Sequence, residues 1–177
     1  MSRLRPTDEA LAAFRLAPGF ETAATTCGLK KSGAPDLLMV WSAAPCAAAG
    51  VFTTNRVQAA PVVLDREILA AAGSRVRGVI ANAGCANAVT GERGMADARR
   101  MGALGAAAIG ADPGQVLVLS TGVIGVFLDM QKVAAGVDTL RSPGALRGAG
   151  DAARAITTTD THPKIATATA TIGGRGV

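Results

Sequence analysis

The chain has no tyrosine, one tryptophan and four phenylalanines among its 177 residues. So few aromatic side chains leave little with which to stack on bases, which argues against a nucleic-acid-binding surface. The basic residues do not form a patch either. Arg3, Arg5, Arg15, Lys30, Lys31, Arg56, Arg66, Arg75 and Arg77 are strung along the chain, and 18 basic against 13 acidic residues leave a net charge of +5. That mild excess suits small anionic metabolites better than a polyanion. Histidine occurs once, at His162, and the three cysteines, Cys27, Cys46 and Cys85, form no CxxC pair. No zinc ligand set, disulfide framework or serine–histidine–aspartate triad is therefore expected. No apolar run reaches the length needed to span a bilayer. The first sixteen residues, MSRLRPTDEALAAFRL, lack the apolar block of a signal peptide, so a cytoplasmic location is expected.

What is abundant is small. Alanine (38 residues) and glycine (22) make up about a third of the chain, so cohesion must come from close backbone approach as much as from large side chains. Hydrophobic residues are 49% and charged residues 18%, the balance of a globular chain with its own core. Residues 1–17 read as an N-terminal arm, a short helix or a loose segment, and residues 18–177 as one domain. Strands are predicted at 37–41, 47–54, 61–64, 78–81, 115–119 and 165–172, the last from the period of two in IATATATI. Helices are predicted at 65–72 with Asp65 as N-cap, at 92–109, at 130–140 and at 148–156. The alternation implies an α/β architecture, layered sheets flanked by helices.

Three polar stretches follow apolar runs and could carry chemistry. NAGCANAVTG at 82–91 places asparagine amides and glycines at the end of a strand. On pattern alone it reads first as a tight turn with positive φ at Gly84 and Asn87. STGVIG at 120–125 combines hydroxyls with glycines that let an oxygen approach backbone N–H groups, as an oxyanion hole requires. The same pattern also suits a strand-to-helix turn. TTTDT at 157–161 is poor helix material and presents either a cap or a polar row to a substrate.

In order along the chain, KSGAPDL (31–37), GVFTTNR (50–56), AAPV (59–62), NAGCANA with Thr90-Gly91, STGVIG, and Ala155-Ile156 with Thr158-Thr159-Asp160-Thr161 and Lys164 resemble the ornithine acetyltransferase family of arginine biosynthesis. The resemblance covers residues 17–177. It implies the fold of the self-processing N-terminal-threonine acetyltransferases, whose precursor cuts itself before a threonine to give an α and a β chain. That threonine becomes the nucleophile. Here Gly173-Gly174 is present and the sequence ends at Val177, so the nucleophile is expected on a β chain outside it.

By resemblance, Thr121 (hydroxyl) and Gly122 (backbone N–H) form the oxyanion hole, and Thr158, with Thr159 as the alternative, binds substrate. The implied reaction moves acetyl from N-acetylornithine to glutamate by a ping-pong route, with acetyl-CoA as a further acetyl donor and no cofactor or metal. The implied partners are the β chain and an α2β2 or larger assembly, with neither nucleic acid nor membrane. Cys85, Val126 and Thr157 depart from the residues the family usually carries. Two other readings stay open: a related self-processing amidase, peptidase or secondary-metabolite acyltransferase, and a non-catalytic interaction module.

Overall fold

Four apolar stretches pair into the central sheet: β1 (Phe20–Thr25), β2 (Leu37–Cys46), β3 (Val76–Cys85) and β4 (Val116–Val123), in the order β1-β2-β3-β4. In this computed structural model, which describes residues 7–176, β1, β2 and β3 run antiparallel and β4 lies parallel to β3. Arg3, Arg5, the start of the N-terminal arm and Val177 lie outside the described residues. The parallel step requires a crossover, and α3 (Gly91–Ala108) supplies it. Before β3 comes α2 (Ala60–Ala72); after β4 come α4 (Met130–Arg141) and α5 (Ala149–Ile156).

Strand alternation sends side chains to two different layers. Leu37, Met39, Ile80, Val116 and Val118 face the core shared with Leu64, Met101, Val133 and Leu140 of α2, α3 and α4. Ala24, Leu38 and Ala81 face Ala152 and Ala155 of α5 on the other side. A short helix, α1 (Asp8–Ala13), packs on α5, with Leu11 buried and its backbone close against Gly150. The α/β layering expected from the alternation is thus present, as one sheet with helices on both faces.

Several elements differ from the sequence expectation, each for a physical reason. Residues 61–64 are not a strand but the first turn of α2, where Pro61 sits at the start with its φ already suited to a helix. Asp65 is consequently no N-cap; it lies inside α2 on the buried face with Pro61, Leu64 and Ile68. Residues 47–54 form no ladder, and Val51 is fully exposed. The IATATATI row is irregular up to Thr171, because the alanines at 166, 168 and 170 bury too little to hold a strand. Only β5 (Thr171–Ile172) and β6 (Arg175–Gly176) pair, around Gly173 and Gly174 at φ 56° and 79°, the positive values a two-residue hairpin turn needs. Finally, β3 runs through Asn82-Ala83-Gly84-Cys85, and β4 through Ser120-Thr121-Gly122-Val123, so these residues lie within strands rather than in loops after them.

Candidate active site

The site forms where β3 and β4 end together. Gly84 pairs with Gly122 in register, and both have positive φ, +116° and +135°. A Cβ on Gly122 would come within 2.3 Å of the Gly84 backbone, and one on Gly84 within 2.8 Å of the Leu29 carbonyl oxygen. Three backbone segments therefore stack without side chains between them. Glycine is required at both levels by φ and by contact.

The third segment, around Leu29, is organised by one carboxylate. Asp36 is completely buried and accepts from the N–H groups of Cys27 (2.7 Å), Leu29 (2.6 Å) and Lys30 (2.8 Å). Lys30 then reaches across the fold. Its Nζ donates to the carbonyls of Pro35 at 2.7 Å and of Ala155, in the last turn of α5, at 2.9 Å. Burial pushes the Lys30 ammonium below its usual range, opposed in part by Asp36. Past α5 the Thr157 hydroxyl donates to the Arg154 carbonyl at 2.8 Å and closes the helix end. Thr158 and Thr159 are left exposed.

Between these walls lies a cleft of about 820 Å³. Thr121, Gly122, Thr158 and Thr159 all line it, so the structure brings together the four residues singled out from sequence. Lys30 and Lys31 contribute positive charge to its rim, and no carboxylate lines it.

β4 is an edge strand, and its amides alternate in direction. The Val118 N–H points away from β3, donating to Asp65 at 2.8 Å, whereas the Val123 carbonyl points toward β3's continuation and accepts from Ala86 N–H at 2.9 Å. Alternation between those two fixed points directs the Gly122 N–H to the open edge. An amide on that edge beside a threonine hydroxyl is a donor pair of the kind an oxyanion uses.

The neighbouring polar residues do other work. Asn87, at φ 46°, donates to the Gly94 carbonyl (2.8 Å) and accepts from the Thr90 hydroxyl (2.8 Å), which locks the start of α3. Cys85 is buried with its thiol against the Val126 carbonyl (3.4 Å), and burial raises its pKa, the opposite of activation. Cys27 is likewise inert, pushed up to about 12 chiefly by burial and by Asp36. His162 lies beside the Thr161 hydroxyl (3.0 Å), and Asp160 pairs with Lys164. Among the described residues no cluster of histidine, cysteine or carboxylate could hold a metal ion, and no helix is long and apolar enough to cross a membrane.

Sequence reasoning missed Lys30, Asp36 and Asp65 as organisers of this region. A signal for Asp65 was present: read at helical spacing, positions 61, 64, 65 and 68 share one face, and a carboxylate on an apolar face needs a partner.

The ArgJ family model matches residues 21–177. The chain belongs to the ArgJ family. The arginine biosynthesis bifunctional protein ArgJ of Geobacter sulfurreducens is 47% identical over 163 residues, covering 89% of this chain and 40% of that protein. The chain therefore spans about 40% of the length of such curated relatives. Two solved structures share the fold. Ornithine acetyltransferase complexed with ornithine from Mycobacterium tuberculosis superposes with a TM-score of 0.76 at 42% identity, covering 85% of this chain and 80% of that one. The ArgJ protein of Bacillus halodurans gives 0.78 at 34% identity, covering 91% and 83%.

Proposed function

We propose that this ArgJ-family chain is the α part of an acetyltransferase that moves the acetyl group of N-acetylornithine to glutamate by a ping-pong route. The nucleophile is the N-terminal threonine of a β chain cut from the same precursor, with its own α-amine as general base, so the chemistry needs no histidine. Attack on the acetyl carbonyl puts negative charge on its oxygen, and the Thr121 hydroxyl and Gly122 N–H donate to that oxygen. Thr158 holds the amino-acid part of the substrate, with Thr159 the alternative beside it. Lys30 and Lys31 at the rim draw the substrate carboxylate.

The observation that carries this reading is that Thr121 and Gly122, at the end of β4, line one cleft with Thr158 and Thr159. A donor pair without an activated nucleophile of its own is what an α part supplies to a β-chain threonine. The names of the relatives accord with it: one neighbour is an ornithine acetyltransferase complexed with ornithine, and the curated relatives are called bifunctional. We read the second activity as acetyl-CoA acting as acetyl donor, without a bound cofactor. The assembly is at least an α2β2 pairing in the cytoplasm, with no nucleic acid or membrane as partner.

The test is acetyl transfer from N-acetylornithine to glutamate by the processed full-length enzyme. Thr121→Ala should lower kcat by about a hundred- to a thousandfold with little change in KM, since the bond is made in the transition state. Thr121→Ser, which keeps the hydroxyl, should retain most activity. An unchanged kcat in Thr121→Ala would show that the segment is only a strand end.

A further inference from the structure

The residues of the cleft come from two parts of the fold. Thr121 and Gly122 end β4, whereas Thr158 and Thr159 follow α5. The near end of α5 is firmly placed. Leu146, just ahead of the helix, exchanges both backbone hydrogen bonds with Ala24 of β1 (2.7 and 3.0 Å), and Gly150 in the first turn lies close against the Leu11 backbone. The far end, which leads to Thr158, has less to hold it. Its layer on the sheet is Ala152 and Ala155 against Ala24, Leu38 and Ala81, with Val40 and Ile156 partly buried beside them. Small side chains interlock poorly, so such a layer fixes the height of the helix better than its slide along the sheet.

Among the described residues, two polar ties leave the last turn of α5. Arg154 pairs with the exposed Asp8 of α1, and surface pairs of this kind are weak. The other tie is the Lys30 ammonium on the Ala155 carbonyl at 2.9 Å. That carbonyl lies three residues ahead of Thr158, at a helix end that leaves it without a backbone partner and favours a cation. The lysine is itself fixed at its root. The buried Asp36 carboxylate accepts from the Lys30 N–H at 2.8 Å, and the Pro35 carbonyl accepts a second bond from Nζ at 2.7 Å. The Leu29 carbonyl just before it lies against Gly84, and Gly84 is stacked on Gly122. A continuous path of backbone contacts, with one lysine side chain in it, thus joins Gly122 to Ala155.

We propose that Lys30 is a positioning residue for acetyl transfer: it sets the gap between the oxyanion pair, Thr121 and Gly122, and the substrate-holding threonines, Thr158 and Thr159. The proposal rests on the acetyl-transfer reading and adds a requirement of distance to it. A substrate held at Thr158 presents its acetyl oxygen to the donor pair only while the two walls keep their spacing. A displacement of about 1 Å can lower the rate by about a hundredfold. Lysine suits this task because its Nζ carries several donors on a long stem, and two of them hold the loop carbonyl of Pro35 and the helix carbonyl of Ala155 together. An apolar side chain of the same length could fill the space without fixing the helix end.

The experiment uses the processed full-length enzyme, with rates expressed per active site from the burst of ornithine released when N-acetylornithine is supplied without glutamate. Counting sites in this way removes losses of folding or self-cleavage from kcat. Lys30→Met keeps the stem and removes the donors. It should lower kcat by about thirtyfold or more and raise KM only about threefold, the share of the lost rim charge. Lys30→Arg, which keeps charge and donors, should recover kcat to within about fivefold of wild type. The deciding comparison is made on Thr121→Ala, where one oxyanion donor is already gone. There Lys30→Met should lower kcat by about fivefold or less, because residues that act through one interaction are not additive. Equal fold losses in the two backgrounds overturn the proposal. So does a rise in KM with kcat per site unchanged, which would leave Lys30 a rim charge only. If Lys30→Met gives no processed enzyme, Lys30→Gln, a shorter neutral donor, enters the same cycle under the same criteria. Absence of acetyl transfer from the wild type overturns the acetyl-transfer reading, and this proposal with it.

Discussion

Taken singly, Thr121 ends an apolar row and Thr158 is one of four threonines in five residues. Their meaning comes from what stands beside them. Thr121 precedes a glycine whose Cβ would collide with β3, so its neighbour offers only an amide. Thr157 has its hydroxyl occupied by the α5 terminus, which singles out Thr158 and Thr159 as the free members of the row. Cys85 is the residue most easily mistaken for a nucleophile, being next to Gly84 in the register. Its buried thiol, bonded to the Val126 carbonyl and with a raised pKa, is a packing group. Cys85→Ala in the processed enzyme should keep acetyl transfer within about threefold and lower stability by about 1–2 kcal/mol, measured by steady-state kinetics and denaturant unfolding. A complete loss of transfer in a folded variant would move the nucleophile into this chain.

At the level of elements, the two helical layers are unequal. α2, α3 and α4 bury Leu64, Met101, Val133 and Leu140, each contributing about 1.5–3 kcal/mol, whereas α5 offers Ala152 and Ala155, closer to about 0.8 kcal/mol apiece. α5 is held instead by polar ties: Lys30 on the Ala155 carbonyl and Arg154 on Asp8 at 2.5 Å. Lys30→Met should therefore speed hydrogen exchange in α5 and at 157–159 by about tenfold or more while leaving β3 protected, and Lys30→Arg should restore part of the protection. Equal exchange in wild type and Lys30→Met would mean that small-residue packing alone holds the layer. The same inequality explains what was legible in sequence. β2, β3, α3 and α4 carry long apolar patterns with turns between them, and each was readable within a few residues. The 61–64 and 165–172 segments were not. Local β-branched residues suggested strands there, but Pro61 lies in the first turn of a helix and the alanine–threonine alternation offers mostly small side chains to bury. Motif order located Thr121, Gly122, Thr158 and Thr159, yet the cleft itself depends on Lys30 and Ala155, which no local pattern connects.

For the molecule as a whole, Asp65 ties stability to pH. A buried carboxyl without a cationic partner disfavours its ionised form, so its folded pKa of about 6 stands above the ordinary 3.8. The sign follows from proton binding. Between those two values the folded state holds a proton that the unfolded chain has released, so stability is greatest below about 3.8 and is lost as pH rises through about 6. Other carboxylates add their own acid dependence, and the comparison that isolates Asp65 is a difference between variants. Asp65→Asn keeps the acceptor for Val118 and removes the charge. Its melting temperature should exceed that of the wild type at pH 8, and the gap should shrink toward zero as pH falls below about 4. A gap independent of pH would mean that Asp65 stays neutral or fully solvated. A gap of that sign and pH dependence identifies Asp65 as a buried carboxyl whose ionisation costs the fold stability at neutral pH.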